Sequence, residues 1–212
     1  MSAAPAGAAR EIVAATANPS KLTEIEAIFN AAVPAGIVLL PRPHDLADVD
    51  ETGDTLAANA LLKAAAVMER SGKAALADDT GLEVDALGGE PGVRSARFAG
   101  PEAIDAENVM LLMQRLATTD APQRTARFRT VICLARPDGE VRYFDGVCEG
   151  SIAAAPRGSS GFGYDPVFVP ADGDGRTFAE MTGDEKHAIS HRGRALRAAA
   201  ADLADFLAAP LQ

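Results

Sequence analysis

The chain has 212 residues, 48% of them hydrophobic and 24% charged, which is an ordinary composition for a soluble globular protein with a sizeable core. Its 20 lysines and arginines against 30 aspartates and glutamates give a formal charge of -10, which argues against nucleic acid or an anionic membrane as a partner. No apolar run approaches the roughly 18 residues that a membrane span needs.

The first predicted elements are a strand, a helix and a second strand. Residues 11–16 are apolar enough for a buried strand, and Asn18 and Pro19 suit the N-cap and first position of a helix. Residues 37–40 predict the second strand, and 41–53 form a polar loop that contains proline. The junction after the first strand therefore presents a helix N-terminus, where unsatisfied N–H groups favour phosphate.

A second helix is predicted to begin after Thr55, to run to about Arg70 and to end at Gly72. A short apolar strand over 74–78 follows, and a third helix is predicted near 105–116.

Two adjacent carboxylates, Asp78 and Asp79, stand at the predicted end of that short strand, ahead of Thr80 and Gly81. Neighbouring side chains of an extended chain point to opposite faces. One Asp is therefore expected to face a pocket while the other anchors a turn, and we assign the pocket to Asp79. An Asp-rich turn without chemistry is the alternative interpretation.

A hairpin about an Asp-Gly turn joins predicted strands 127–136 and 140–149 and sets the distance between the two cysteines. In this register Cys133 faces residue 144, and Cys148 lies four residues further along its strand. Four residues span on the order of 13 Å, which is too far for a disulfide. Free thiols favour a reducing, cytoplasmic compartment.

The C-terminal part contains a glycine-rich loop over 158–163 and a final helix capped by Ser190. Strands alternate with helices and a hairpin follows. This order predicts an α/β protein with a mixed sheet.

Five segments resemble, in order, the non-canonical purine nucleoside triphosphate pyrophosphatases, also called inosine triphosphate pyrophosphatases or XTP/dITP diphosphatases. The segments are 16–21, 51–64, 77–100, 161–166 and 185–193. The resemblance implies an elongated, mixed and twisted sheet flanked by helices, with two lobes and an active-site cleft between them. Residues 1–10, small and Ala-rich without a signal-peptide core, predict a disordered tail ahead of a single two-lobed domain over 11–212.

The activity that the resemblance implies is Mg²⁺-dependent hydrolysis of ITP, dITP and XTP to the monophosphate and pyrophosphate, which removes deaminated purines from the nucleotide pool. The family is commonly homodimeric. Because the chain is acidic, its phosphate site must be a local basic region, helped by a metal ion. A nucleotide-binding sensor without turnover and a general phosphatase releasing orthophosphate are the alternatives.

Site residues are carried over onto the matching positions. Asp79 is the expected proton acceptor and a metal ligand, and either Asp50 or Glu51 is the second carboxylate. Thr80 stands where the family usually has Ser and keeps its hydroxyl. The remaining residues expected to bind substrate are Thr16, Ala17, Asn18, Pro19, Ser20 and Lys21 for phosphate, with Phe162, Gly163, Tyr164, Asp165, Lys186, His191 and Arg192 around the base.

Particular roles follow from the side-chain chemistry. Phe162 is expected to stack on the purine. His191 and Arg192 are expected to donate hydrogen bonds to its 6-oxo group, and Lys186 to meet phosphate or base. Asp85 and Arg97 are expected to pair structurally across the cleft wall.

Overall fold

One mixed sheet organises residues 10–208, which are the residues that this computed structural model describes. Its strands are β1 (Arg10–Ala14), β2 (Ile37–Leu40), β3 (Ala75–Val84), β4 (Pro91–Gly92), β5 (Thr125–Ala135), β6 (Val141–Ile152) and β7 (Phe168–Pro170). The order is β2-β1-β3-β5-β6-β7, with β4 paired to β3. The β2-β1-β3 pairs are parallel and the other pairs antiparallel. The predicted mixed α/β fold is confirmed.

Helices flank this sheet on both faces. They are α1 (Pro19–Ala32), α2 (Leu56–Ser71), α3 (Asp105–Arg115), α4 (Gly183–Ile189) and α5 (His191–Ala208). The predicted caps are confirmed, because Asn18, Thr55 and Ser190 each accept a backbone N–H of the first turn that follows. Gly72 ends α2 with a φ of 65°.

Hydrophobic side chains form three clusters that divide the molecule into two ends. At the parallel end, α1 and α5 cover one face of the sheet through residues such as Ile25 and Leu203, and α2 covers the other through Ala60 and Val67. The third cluster lies at the far end of β3, β5 and β6, where Leu112 of α3 and other side chains pack. The two ends are the two predicted lobes, with the long central strands shared between them.

Strand β3 is longer than predicted. The acidic segment lies inside it, paired with β5 from Ala75 to Val84, so the predicted turn at the two aspartates is wrong. Alternation along the strand still sends the two carboxylates to opposite faces, with Asp78 towards α1 and α5 and Asp79 towards α2. A turn there would have broken buried backbone hydrogen bonds between β3 and β5, which the continuous central strand keeps.

The hairpin register differs from the prediction by one residue. Cys133 faces Tyr143 rather than residue 144, and Cys148 faces Phe128 rather than residue 129. The predicted register requires a two-residue turn at 138–139, whereas Arg136 pairs with Glu140 around a loop of three residues, 137–139, in which Gly139 has a φ of 91°. Both cysteines are free, as predicted, and both are buried.

The N-terminal boundary moves by one residue, because Arg10 already belongs to β1. The rest of the predicted tail, 1–9, lies outside the described residues, and the single domain over 11–212 stays a prediction. Among the helices of residues 10–208, none is long and apolar enough to cross a membrane.

Candidate active site

The site lies at a gap along one edge of β3. On that edge β1 pairs with Ala75 and Leu76, and β4 pairs with Leu82 and Glu83, so residues 77–81 lie between the two strands. Side chains from both faces of β3 reach this gap, which lies beyond the carboxyl end of parallel strand β1. Ligands of open α/β sheets bind at such an end. Gly81 is required here, because a Cβ on it would lie 2.6 Å from the Gly92 oxygen.

A cavity opens at this gap and brings together most of the predicted residues. Its lining consists of Asn18, Lys21, Glu51, Asp79, Thr80, Val93, Ser95, Ala96, Asp105, Phe128, Phe162, Gly163, Tyr164, Asp165, Lys186, His191 and Arg192.

The N-terminus of α1 forms the basic wall of the cavity. The Asn18 carboxamide accepts the Lys21 N–H at 3.1 Å, and the Thr16 hydroxyl accepts the Asn18 N–H at 3.2 Å. The Lys21 ammonium lies 3.3 Å from Asp78. Burial lowers the pKa of Lys21, although Asp78 opposes the shift. The cation and the positive end of the helix dipole together suit an anion.

Two carboxylates share one ammonium on the opposite wall. The Lys63 Nζ lies 2.7 Å from Asp79 and 3.0 Å from Glu51, and the Asn59 amide donates to Asp79 at 3.4 Å. Burial, with a contribution from Glu51, raises the pKa of Asp79 against the effect of Lys63. Burial alone would lower the pKa of Lys63, but Asp79, Asp78 and Glu51 raise it.

This pair of carboxylates fits a magnesium site. Asp79 and Glu51 already converge on one cation, and Mg²⁺ commonly takes one or two carboxylates together with substrate phosphates. Within residues 10–208 no cluster of three or more His, Cys, Asp or Glu side chains surrounds a metal position, so substrate oxygens would complete the set. Asp50 is exposed and lies outside the cavity lining.

Along one wall of the cavity runs a ladder of six charges that alternate in sign, five of which are buried. In order its members are Lys21, Asp78, Arg192, Glu24, Lys186 and Asp165. Burial alone would raise the pKa of Asp78, but Lys21 and Arg192 hold it well below its usual range. Asp78 therefore anchors cations of α1 and α5 rather than a turn.

The glycine-rich loop is held by two carboxylates. Asp165 accepts the Phe162 N–H at 2.9 Å, and Asp105 accepts the Gly163 N–H at 2.7 Å. A Cβ at Gly161 would lie 2.1 Å from the Asp165 carboxylate, so this position requires glycine. The Phe162 ring lies 4.9 Å from the Lys186 ammonium. Tyr164 is buried and its hydroxyl donates to the Ser95 carbonyl at 2.9 Å, a contact that supports the cavity wall.

His191 is buried at the start of α5. Its ring stacks on Phe128 at 4.5 Å between centroids. Burial, with Arg192 and Lys186, lowers the pKa of His191 well below its ordinary value. Its Nδ1 atom has no hydrogen-bond partner among the described residues. Arg192 contacts Asp78 and Thr80 at 3.1 Å, and also Glu24.

Some predicted residues lie outside this cavity. Thr16 is buried beneath the helix start, Ala17 and Pro19 are exposed, and Ser20 lines a neighbouring depression. The expected pair of Asp85 with Arg97 is wrong. Asp85 contacts Arg127 and Thr125 instead, because the register of β3 on β5 places it beside them, and Arg97 contacts Glu51.

Sequence reasoning missed four polar residues of the site. Asn59 and Lys63 contact Asp79, Glu24 contacts Lys186 and Arg192, and Asp105 holds the glycine-rich loop. The signal for Lys63 was its spacing of four from Asn59, which places both on one helix face. The signal for Glu24 was its spacing of three from Lys21.

Comparisons with known proteins give one consistent result. Residues 12–202 match the model of the Ham1 family. The dITP/XTP pyrophosphatase of Symbiobacterium thermophilum is 47% identical over 187 residues, which cover 88% of this chain and 91% of the relative. The dITP/XTP pyrophosphatase of Thermus thermophilus is 48% identical over 189 residues, 89% of each chain.

Among solved structures, the HAM1 protein of Coxiella burnetii superposes with a TM-score of 0.82 at 41% identity, covering 92% of this chain and 99% of that one. These matches confirm the resemblance found in the five sequence segments. With the fold of a solved HAM1 protein and a family match over residues 12–202, the chain belongs to the Ham1 family.

Proposed function

We propose that this protein hydrolyses the non-canonical purine nucleoside triphosphates ITP, dITP and XTP to the monophosphate and pyrophosphate. The observation that carries the proposal is a carboxylate, Asp79, that lines one cavity together with Lys21 at a helix N-terminus and is contacted by a second lysine, Lys63. Lys63 contacts Asp79 directly, and Lys21 lies across the cavity. The curated relatives named dITP/XTP pyrophosphatase support the same substrate class.

In the proposed reaction, a water oxygen attacks the α-phosphorus, and the bond from that phosphorus to the oxygen bridging to the β-phosphate breaks. The Asp79 carboxylate takes the proton from the water, and the electron pair of the broken bond leaves with pyrophosphate. Burial favours proton uptake, because it raises the pKa of Asp79. Lys21 and Lys63 neutralise phosphate oxygens where negative charge develops.

Asp79 and Glu51 are the residues that would hold Mg²⁺, because they converge on one cation position while Asp50 is exposed and lies outside the cavity lining. The ion would supply charge neutralisation at the phosphate oxygens.

Base selection follows from hydrogen-bond polarity. A 6-oxo group accepts hydrogen bonds, whereas the 6-amino group of adenine donates them. The first N–H groups of α5, at His191 and Arg192, lack helical partners and are donors beside the cavity. The Arg192 side chain contributes less directly, since Asp78, Glu24 and Thr80 occupy most of its donors. Phe162 would stack on the purine face.

The test is a substrate panel of ITP, dITP, XTP, GTP and ATP, with product identification and with or without EDTA. We expect the inosine and xanthosine nucleotides to exceed ATP in kcat/KM by up to about 10⁴-fold, since mismatched buried donors are costly. EDTA should abolish turnover and Mg²⁺ restore it. Orthophosphate as the product would favour a general phosphatase, and tight binding without turnover a sensor.

We also propose that the protein is a cytoplasmic homodimer, as the family resemblance implies. Sedimentation velocity tests the dimer. Measurements over a roughly hundredfold range of protein concentration separate weak from stable association. Fractionation of cells tests the compartment.

A further inference from the structure

We propose that Glu24 is a positioning residue for base selection, a role that rests on the proposed function. Glu24 lies on α1, one turn after Lys21, and is not among the residues that line the cavity. Its carboxylate is buried, with 9% of the residue exposed, and it contacts two cations from two other helices. The Lys186 ammonium of α4 lies 2.6 Å away, and the Arg192 guanidinium of α5 contacts the other oxygen.

The contacts of Lys186 show what this carboxylate positions. Its Nζ lies between Glu24 and Asp165, at 2.6 Å from each. Asp165 also accepts the Phe162 N–H, and the Lys186 ammonium lies 4.9 Å from the centre of the Phe162 ring. A change at Glu24 therefore moves the cation that lies against the proposed stacking ring.

Glu24 also positions Arg192, the second residue of α5. The guanidinium is held between Glu24 on one side and Asp78 with Thr80 on the other. The backbone N–H of Arg192 belongs to the first turn of α5, and this turn provides the proposed hydrogen-bond donors for the 6-oxo group. Glu24 thus orients both the cation beside the Phe162 ring and the helix start that donates hydrogen bonds to the base.

Charge balance explains why a neutral residue at position 24 would displace both cations. The six-membered ladder has three cations and three anions, and burial of an unpaired charge is costly. A Gln at this position has similar size, but its NH₂ group would face the donors of Lys186 or Arg192. Each cation would keep one carboxylate, Asp165 and Asp78 respectively, so the fold survives while both cations shift.

The experiment compares Glu24→Gln with Glu26→Gln, which removes the same charge from an exposed position of the same helix. The measurements are kcat/KM for ITP and for ATP, and the dissociation constants of IMP and of inorganic pyrophosphate with Mg²⁺. In Glu24→Gln we expect the ITP to ATP ratio to fall about tenfold or more and IMP affinity to fall similarly, while pyrophosphate affinity changes by less than about threefold. Glu26→Gln should leave all four values unchanged.

A merely structural role would reduce ITP and ATP turnover, and IMP and pyrophosphate binding, by the same factor, and that result would overturn the proposal. An unchanged ITP to ATP ratio would overturn it as well. If Glu24→Gln does not accumulate as folded protein, the same ratios are measured in Glu24→Asp, whose shorter side chain cannot reach both cations. Wild-type protein that fails to hydrolyse ITP contradicts the proposed function instead, and the two binding constants still decide the role of Glu24.

Discussion

Replacing Lys63 by Met should destabilise the protein in a way that magnesium reverses. The substitution keeps the length of the side chain and removes the charge that Asp79 and Glu51 share. The three side chains are 12%, 6% and 26% exposed, so solvent screens them only partly. At 2.7 Å and an effective dielectric constant of about 20, the attraction to Asp79 alone is about 6 kcal/mol before desolvation is subtracted.

The net cost is smaller than this attraction. Removing one partner of a buried pair costs about 3–5 kcal/mol, and the partial exposure of Glu51 favours the lower end, about 3 kcal/mol. Two facing carboxylates remain, and Mg²⁺ provides the cation that they lack. At a hundredfold excess over its dissociation constant, a ligand of the folded state adds about 2.7 kcal/mol. Magnesium should therefore restore most of the loss.

The assay is urea unfolding of wild type and Lys63→Met, in EDTA and in saturating Mg²⁺. The matched control is Lys73→Met, which removes an ammonium from an exposed pair with Glu11 and should cost less than about 1 kcal/mol in either buffer. Magnesium should stabilise Lys63→Met more than wild type, because in wild type the ion must displace the ammonium. Equal stabilisation of both proteins, or a loss no larger than that of Lys73→Met, would refute the reasoning.

Four further outcomes are expected. Asp79→Asn should fold and lose about 10²–10⁴-fold in kcat, measured with ITP, because a general base and a metal ligand are removed together. Lys21→Ala should weaken binding of the triphosphate more than of the monophosphate product, as measured by calorimetry, because its ammonium lies at the helix end that favours phosphate. Arg192→Ala should lose about 3–5 kcal/mol in urea unfolding, because Asp78 and Glu24 remain buried without it. His191→Gln should flatten the dependence of stability on pH below 6.5, since the unfolded histidine takes up a proton there and the folded, buried one does not.

Each of these outcomes has a result that contradicts it. Near wild-type turnover in folded Asp79→Asn would place the base elsewhere, and equal losses for both nucleotides in Lys21→Ala would remove Lys21 from the phosphate site. An unchanged unfolding midpoint in Arg192→Ala would mean that the ladder is solvated. His191 should make the free energy of unfolding of the wild type decline as pH falls, by at most about 1.4 kcal/mol per pH unit. An identical slope in His191→Gln would show that the ring titrates normally.

Local chemistry made much of this fold predictable. The caps at Asn18, Thr55 and Ser190 and the helix end at Gly72 depend on residues within four positions of one another, so sequence alone identifies them. The short strands β4 and β7 were not predicted, because a segment of two or three residues is too short to show the alternation of hydrophobic and polar residues that marks a strand. The hairpin register also escaped prediction, since it depended on whether the loop had two residues or three.

The site residues that lie in local sequence motifs were predictable. Contacts between residues that are distant in the sequence were not. Asp79, Lys21 and the pair His191 and Arg192 lie in recognisable segments, and all of them line the cavity. The contact of Glu24 with Lys186 joins positions 162 residues apart, and no local pattern encodes it. Asp78 was expected to be secondary because it faces away from Asp79, yet that same direction places it between two cations.

The central claim is that water attacks the α-phosphorus of a 6-oxopurine triphosphate at Asp79. The most direct measurement is hydrolysis of ITP in ¹⁸O-labelled water, followed by mass spectrometry of both products. The account predicts one labelled oxygen in the inosine monophosphate, unlabelled pyrophosphate, and loss of this reaction in Asp79→Asn. Label in pyrophosphate or in released orthophosphate would contradict it, because the attacked phosphorus would then be the β or the γ.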